Sequence, residues 1–289
     1  MRAAATRLSG IPAILLILLW IAPLAAQQAD DIAELNARYW KLFNDKKLPE
    51  AAEVARRRLE VLEKGGGVDQ TLIDEQLYIL ATTYYIQARY AEAEQVHKRR
   101  HELREKLFGI DSPEAMDSLR SLAQVYSTQD RLELAEQLPA RRVATLERVR
   151  GREHPDLVPV LRDIAAVAGK KNDNAARVAA LERALAITQA EHGDQHLSSV
   201  ELTEELARHV AFERAAPLYE HALAMRQKLQ GVSHTDITFA KALLINKCGM
   251  HGLLLAEQRQ FAEAEKLYRR RLELLREMFR NDEPAPVAR

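Results

Sequence analysis

A twenty-residue segment recurs along this chain and constrains its fold more than any other feature of the sequence. Residues 90–109 read YAEAEQVHKRRHELREKLFG. Related segments begin at Leu48, Leu132, Asn174, Phe212 and Phe261. The first four copies are spaced by 42 residues, and the last two follow at intervals of 38 and 49. Six copies of one segment indicate a repeat array, in which each unit buries its apolar face against its neighbours.

The residues before each copy form another helical pattern, so the repeating unit is predicted to be a pair of helices. Its apolar positions recur 42 residues apart, first as Leu77, Leu80, Ala81 and Tyr84, then as Leu119, Leu122, Ala123 and Tyr126. This spacing places the apolar side chains on one face of a helix. Short polar turns at 87–89, 129–131 and 171–173 separate the first helix of each pair from the second.

Alanine recurs where the two helices of a pair are expected to touch. The fourth residue of the second helix is alanine in all copies except one, which has Arg177. The alanines are Ala51, Ala93, Ala135, Ala215 and Ala264. Small residues let two helices approach to the lower end of the usual range of about 8–10 Å. We therefore interpret these alanines as packing contacts.

The second helices are followed by glycine and a short polar loop. The loops read GIDSPE, GREHPD, GDQHLS and GVSHTD, and the first copy ends at 65–67 in three glycines. Glycine is expected to end each helix in a left-handed conformation, and the polar residues to cap the next helix. His154, His196 and His234 occupy one repeat position, which favours a capping role over metal binding.

The spacing changes near residue 210, and two interpretations fit the change. The copy at Phe212 comes four residues early and the copy at Phe261 seven residues late. Seven residues are about two helical turns, so an elongated first helix would keep its apolar face in phase. Alternatively, Ile245–Gly249 is the frame-matched first helix and the extra residues are divided between two loops.

Composition and motifs argue against several functional classes. Lys plus Arg and Asp plus Glu both number 42, which gives no bulk charge for nucleic acid. A single cysteine, Cys248, excludes an internal disulfide and a cysteine-based zinc cluster. The sequence lacks a glycine-rich phosphate loop, a nucleophile beside a base, and an HExxH motif. We therefore predict a protein without catalytic residues, metal or cofactor.

The first 26 residues read as an export signal. Arg2 and Arg7 are the only charges before an apolar run, which ends in small residues at 25–26. The alternative is an uncleaved anchor, but the run at 11–26 is shorter than the roughly 20 residues of a spanning helix. We expect an extracytoplasmic chain, periplasmic or secreted, with membrane contact only through such an anchor. The repeat domain is expected over 27–280, followed by a disordered tail at 281–289.

The pattern L-x-x-L-A-x-x-Y, a turn, and Y-x-E-A-E resembles the tetratricopeptide repeat. The 42-residue period and the loop that reads G-x-D/E-H-P-D resemble the kinesin light chain subtype, over roughly residues 30–280. The resemblance implies an all-α, right-handed superhelical solenoid of about six antiparallel helix pairs. It also implies that the first helices line a concave groove, which in the family binds a peptide of a partner protein.

Two departures from the family pattern are visible. The subtype carries Asn-Asn between the two central aliphatic residues of the first helix, whereas here only the pair 246–247 keeps an asparagine. A position in the second helix that is commonly alanine is arginine in four copies. These are Arg58, Arg100, Arg142 and Arg271. An arginine at a normally small site must extend towards solvent or find a partner.

The groove-facing residues of the first helices are the candidate binding site. The face opposite the packing face is expected to carry Tyr78, Thr82, Tyr85, Arg120, Gln124, Ser127, Arg162, Glu204, Arg208 and Asn246. Aromatic and arginine side chains in a groove suit peptide recognition, although an ordinary solvated face has the same periodicity.

Two other clusters have simpler explanations than binding. Basic runs at 56–58, 98–100, 141–142 and 269–271 could form a ridge for an anionic polymer or lipid. Acidic residues at 60, 102 and 273 lie four positions after the first member of three of these runs, which favours internal salt bridges. His97 and His101 also lie four residues apart, but they occupy apolar positions of the repeat, which favours packing over a metal site.

The sequence therefore predicts an exported, non-enzymatic scaffold or adaptor that binds a partner protein or peptide in its concave groove. An alternative is an assembly subunit that stacks through its terminal helices on itself or on another repeat protein. No capping helix is evident after the last copy, which keeps the alternative open.

Overall fold

The computed structural model describes residues 31–65, 69–229 and 233–280, and every regular element within those ranges is an α-helix. The first helix, α1, covers residues 31–44. The others are α2 (Leu48–Lys64), α3 (Gln70–Ile86), α4 (Tyr90–Phe108), α5 (Pro113–Thr128), α6 (Leu132–Arg150), α7 (Leu157–Lys170), α8 (Asn174–His192), α9 (Leu197–His209), α10 (Phe212–Lys228), α11 (His234–Glu257) and α12 (Phe261–Arg280). In chain order these are six first helices, each followed by a second helix, as the repeat predicts.

The predicted export signal at 1–26 and the predicted tail at 281–289 lie outside the described residues. Among the helices that are described, none combines the length and apolar character that crossing a membrane requires.

The chain divides into two compact units at Arg131 and Leu132. The N-terminal unit contains α1–α5, and its core is formed by residues such as Leu62, Leu77 and Val125. The C-terminal unit contains α6–α12, and its core includes Leu181 and Leu244. Consecutive helices pack against each other from α2 to α5 in the N-terminal unit and from α6 to α12 in the C-terminal unit, so each core is a layer between first and second helices.

The alanines lie at the helix contacts, as predicted. Ala51, Ala93, Ala135 and Ala215 are completely buried. The exceptional copy is compensated on the partner helix: the guanidinium of Arg177 packs against Gly169 of α7, where a β-carbon would lie only 2.0 Å from Nη2. The large residue of this pair is therefore accommodated by a glycine that faces it.

The turn inside most pairs closes with one backbone geometry. Its middle residue is left-handed, with φ between 58° and 60°, at Lys46, Ala88, Asp130, Asn172 and Arg259. The next amide then donates back across the turn, as in the 2.9 Å bond from Arg89 N to Tyr84 O. This is the Schellman arrangement, which satisfies carbonyls that the helix end leaves open.

Caps at the other helix ends agree with most of the loop predictions. Gly109, Gly151 and Gly193 have positive φ after their helices. His196 caps α9 by accepting a hydrogen bond from Ser198 N at 3.3 Å. Gly65 differs, because it ends α2 in an extended conformation with φ −73°. The other two glycines of that run and the His234 side chain lie outside the described residues.

The change of spacing is resolved in favour of the elongated helix. Helix α9 has 13 residues, and the extended residues Val210 and Ala211 connect it directly to α10 without the left-handed turn. Helix α11 has 24 residues and continues through Gly249 to Glu257. The shortening is therefore confined to α9 and its turn, and the insertion extends α11 by about two turns.

Candidate binding surface

The predicted groove residues of the N-terminal unit are brought together in part. Tyr78 and Gln124 are exposed, and Thr82 and Tyr85 are partly buried. The Tyr85 hydroxyl accepts a hydrogen bond from Gln124 Nε2 at 3.2 Å, which joins α3 to α5. Arg120 is exposed on α5, whereas the neighbouring Ser127 is buried.

Tyr78 is held in place by a buried arginine. The guanidinium of Arg100 lies 4.8 Å from the centre of the Tyr78 ring, a cation–π distance. Arg100 also forms an ion pair with Asp74, at 3.0 Å between Nε and Oδ1. Burial raises the pKa of Asp74, but the hydrogen bonds and charges of Arg104 and Arg100 outweigh it and hold the pKa below its usual value. The Tyr78 ring therefore lies against a guanidinium group that is itself held by an ion pair.

The same arrangement explains three of the four recurrent arginines that the sequence left without a role; the guanidinium of the fourth, Arg271, packs against Gly249. The buried arginine contacts the first-helix residue that lies 22 positions before it. Arg58 donates to Asn36 Oδ1 at 3.0 Å, and Arg226 forms two hydrogen bonds with Glu204, at 2.6 and 2.8 Å. Arg142 instead binds Asp163, at 2.7 Å. These arginines, which lie on second helices, therefore bind side chains of the first helices.

Arg226 is a member of this series that counting from the helix start does not find. It lies four periods of 42 residues after Arg58, but α10 begins four residues early, so it falls at a different position within its helix. The hydrogen bonds and charge of Glu204 raise the pKa of Arg226 despite its burial. Glu204 is only 2% exposed. It was predicted to face the groove, but its carboxylate is engaged by Arg226 and we leave it out of the binding surface.

In the C-terminal unit the predicted stripe runs over α7, α9 and α11. Arg162 is exposed and forms an ion pair with Glu205, at 2.7 Å between Nη2 and Oε2. Arg208 and Asn246 are also exposed, and both line the same groove. Arg208 forms no ion pair with any residue in the described part of the chain.

This groove has a volume of about 630 Å³, and its lining is mostly apolar. Residues at the α9–α10 connection, including Val210 and Phe212, line one side, and the C-terminal half of α11, residues 246–257, lines the other. Met250, Leu253 and Leu254 are 74%, 57% and 46% exposed. Val210, Phe212, Met250, Leu253 and Leu254 were not among the sequence predictions. The repeat carried a signal for two of them, because Met250 and Leu253 lie four periods of 42 residues after Thr82 and Tyr85.

The side chains of the basic runs largely form ion pairs within the chain, as expected. Arg56 pairs with Glu60 at 3.1 Å. Two partners differ from the prediction: Lys98 binds Glu94 at 2.7 Å, and Arg269 binds Glu265 at 2.7 Å, so in both cases the acid precedes the base. Pairs of this kind on a helix surface contribute little to stability and do not form a free cationic ridge.

The two histidines on α4 have different environments. His97 is 3% exposed, and its Nδ1 has no hydrogen-bond partner among the described residues. Burial, and then the charge of Arg100, lowers the pKa of His97 from 6.5 to about 4. His101 Nδ1 lies 2.8 Å from Ser118 Oγ, and its Nε2 lies 3.1 Å from Glu105. Both rings are therefore enclosed by the fold.

Cys248 is also buried, in the core of the C-terminal unit. Burial raises the pKa of its thiol. A search of the described residues for groups of three or more His, Cys, Asp and Glu side chains with metal-binding geometry finds none.

Comparison with known proteins agrees with the repeat. A tetratricopeptide repeat family model matches residues 75–147, from α3 into α6. A search of curated protein sequences finds no significant match. The structure of BtubC (BKLC) from P. vanneervenii has a TM-score of 0.55 at 17% identity, over 91% of this chain and 96% of that one.

Two other solved structures have similar folds. A putative kinesin light chain from Podosopora anserina, with nearly identical TPR-like repeats, has a TM-score of 0.55 at 20% identity, over 70% of this chain and 95% of that one. The apo form of RapI has a TM-score of 0.50 at 13% identity, over 87% and 85%. At these identities the similarity concerns the fold. The predicted tetratricopeptide repeat fold of kinesin light chain-like type is confirmed.

Proposed function

We propose that this chain is an exported, non-enzymatic scaffold that binds a segment of a partner protein on its first-helix surface. The observation that carries the proposal is the apolar groove of the C-terminal unit. Its lining combines Met250, Leu253 and Leu254 with the exposed polar residues Arg208 and Asn246. Grooves that bind protein segments have this character, with apolar anchors and a few polar groups that fix orientation.

The N-terminal unit supports the same function with different chemistry. The exposed Tyr78 ring lies against the guanidinium of the buried Arg100. Gln124 of α5 is hydrogen-bonded to Tyr85 of α3. Side chains that are held before binding lose less conformational entropy when a partner arrives. A tyrosine that is fixed in this way is a suitable anchor for a peptide.

Site-specific crosslinking tests the proposal. A photoreactive amino acid is placed at Tyr78, Arg120 or Asn246 on the first-helix surface, and at the exposed Arg57 on α2 as a control. We expect one partner protein to be crosslinked in the native host from the first three positions and not from the control. In Tyr78→Ala and Arg120→Ala variants with the label at Asn246, recovery of that partner is expected to fall. Equal labelling at all four positions would contradict the proposal.

Export is proposed from the charge and apolar pattern of residues 1–26 alone. A C-terminal epitope tag and cell fractionation test it, and the mass of the tagged protein shows whether the first 26 residues are removed. Recovery of the full-length chain in the cytoplasm would overturn this part of the proposal. An uncleaved chain in the membrane fraction would support the anchor.

Self-association is a second candidate function, because α12 has an exposed apolar face. Phe261, Leu272 and Phe279 are all exposed, and their spacings of 11 and 7 residues place them on one side of the helix. A repeat array with an open apolar end stacks readily on another copy. Sedimentation over a hundredfold range of concentration tests this idea. A dimer that the Leu272→Glu variant abolishes would support it, and a monomer throughout would exclude it.

A further inference from the structure

The groove of the C-terminal unit occupies space that a longer α9 would fill. The first helices α3 and α5 have 17 and 16 residues, whereas α9 has 13. Helix α9 therefore ends about one turn early, whereas α11 continues for three residues past the position that corresponds to the ends of α3 and α5. The α9–α10 connection and the C-terminal half of α11 face each other across this groove, and Phe212 and Leu254 both line it.

The charges around this groove are unequally distributed. Arg208 and Lys247 line it together with Asn246, whereas Glu257 lies at the far end of α11. Lys247 Nζ donates one hydrogen bond, to Val210 O at 3.3 Å, and an ammonium group has three donors. Arg208 is exposed and has no ion-pair partner in the described part of the chain. One end of an apolar groove therefore offers positive charge that the fold does not use.

Resting on the proposed function, we propose that this groove binds an amphipathic α-helix of the partner, whose apolar face carries a carboxylate side chain near one end. The apolar residues of the helix contact Met250, Leu253 and Leu254, and the carboxylate pairs with Arg208. From Asn246 to Glu257 the groove follows α11 for about 16 Å, at about 1.5 Å per residue. A helix of about three turns matches this length.

A helix fits the groove better than an extended peptide because of the main-chain groups. A buried extended segment needs hydrogen-bond partners for its main-chain N–H and C=O groups, which strand addition provides. The Val210 carbonyl at the α9–α10 turn already accepts from Lys247. The apolar wall on α11 instead presents Met250, Leu253 and Leu254 at helical spacing, which suits ridges-into-grooves packing of another helix.

Three helical probe peptides test this inference. They are identical 14-residue stapled helices with a leucine face, and they differ only at one end of that face. The acidic probe has two glutamates there, the basic probe two lysines and the neutral probe two glutamines. Their dissociation constants for the full chain are measured by fluorescence anisotropy at low salt. We expect the acidic probe to bind at least tenfold more tightly than the basic probe, with the neutral probe between them.

Charge reversal and apolar substitution identify the site. Arg208→Glu is expected to reverse the order, so that the basic probe binds more tightly than the acidic one. Leu253→Glu is expected to weaken the acidic probe at least tenfold. Matched controls are Lys266→Glu on α12 and Leu72→Glu on α3, which are expected to change affinity less than twofold. Circular dichroism checks folding, and Met250→Ala provides a milder apolar change if Leu253→Glu unfolds the chain.

Some results would overturn this inference while leaving the proposed function intact. Equal affinity for the acidic and basic probes, or acidic-probe binding that survives Leu253→Glu, would exclude a helix with a carboxylate in this groove. If Leu253→Glu abolished a dimer and no probe bound, the occupant would be a second copy of the chain. A partner that still crosslinked at Tyr78 would preserve the proposed function in each case.

Discussion

Acidification is predicted to weaken the N-terminal unit because His97 is buried as a neutral ring. Its pKa falls from 6.5 in the unfolded chain to about 4 in the folded one, through burial and the nearby charge of Arg100. The folded state therefore binds its proton less readily than the unfolded state does. The contribution of the neutral ring to the free energy of unfolding is fully present above the unfolded pKa. It is lost as pH falls from about 6.5 to about 4.

The size of the effect follows from these two values. Each pH unit inside the window changes the free energy of unfolding by about 1.4 kcal/mol. Between pH 7 and pH 5 the loss attributable to His97 is then about 2 kcal/mol. The pKa of Asp74 is lowered from 3.8, so this carboxylate contributes mainly below pH 4 and outside the measured interval.

Urea unfolding at pH 7 and pH 5 measures the effect. Trp40 lies in α1 of the N-terminal unit, and its fluorescence reports on this unit in a Trp20→Phe background. In His97→Leu, the loss of stability between the two pH values is expected to be smaller by about 2 kcal/mol. His221→Gln, an exposed histidine of α10, is the matched control and is expected to behave as the parent protein does. Equal losses in the parent and His97→Leu would refute the reasoning.

Three further predictions concern single contacts and are measured by the free energy of unfolding in urea. Arg226→Met leaves a buried carboxylate uncompensated and is expected to cost about 3–5 kcal/mol, most of which returns when that carboxylate is also replaced by leucine. Gly169→Ala is expected to be about 1 kcal/mol more favourable in an Arg177→Ala background than alone, since the guanidinium no longer blocks the added carbon. Ala88→Gly relieves a left-handed alanine and is expected to stabilise by about 0.5–1 kcal/mol, whereas Asn172→Gly changes less because asparagine tolerates this conformation. No difference between these last two variants would contradict the backbone argument.

The helix pairs were predictable because several local signals agree at each boundary. Apolar spacing, polar turns at 87–89 and 129–131, and the glycines after α4 and α6 all mark the same elements that the structure shows. The alanine contacts followed from the period alone. The length of α11 did not, because the apolar pattern fits both an elongated helix and two shorter segments, and only packing against α12 selects the first.

The groove was less predictable than the stripe. Arg208 and Asn246 were found because they repeat a position. Met250 and Leu253 lie in the same register, four periods after Thr82 and Tyr85, but the sequence left open whether Ile245–Gly249 keeps that register. The groove that they line lies beside the early end of α9, which is a relation between distant parts of the sequence. Glu204 shows a different limit: its position within the repeat predicts exposure, yet Arg226, 22 positions later, binds its carboxylate as Arg100 contacts Tyr78.

The contact between Gly169 and Arg177 also limits how this chain can be recombined. The two residues lie on either side of the turn inside the α7–α8 pair, eight positions apart. A crossover in that turn would join a first helix that lacks the glycine to a second helix that carries the arginine. A crossover in the loop after Gly193 would transfer both together. Duplication and exchange of such repeats would therefore proceed with whole pairs as the heritable module, even where the 42-residue period permits a cut at any point.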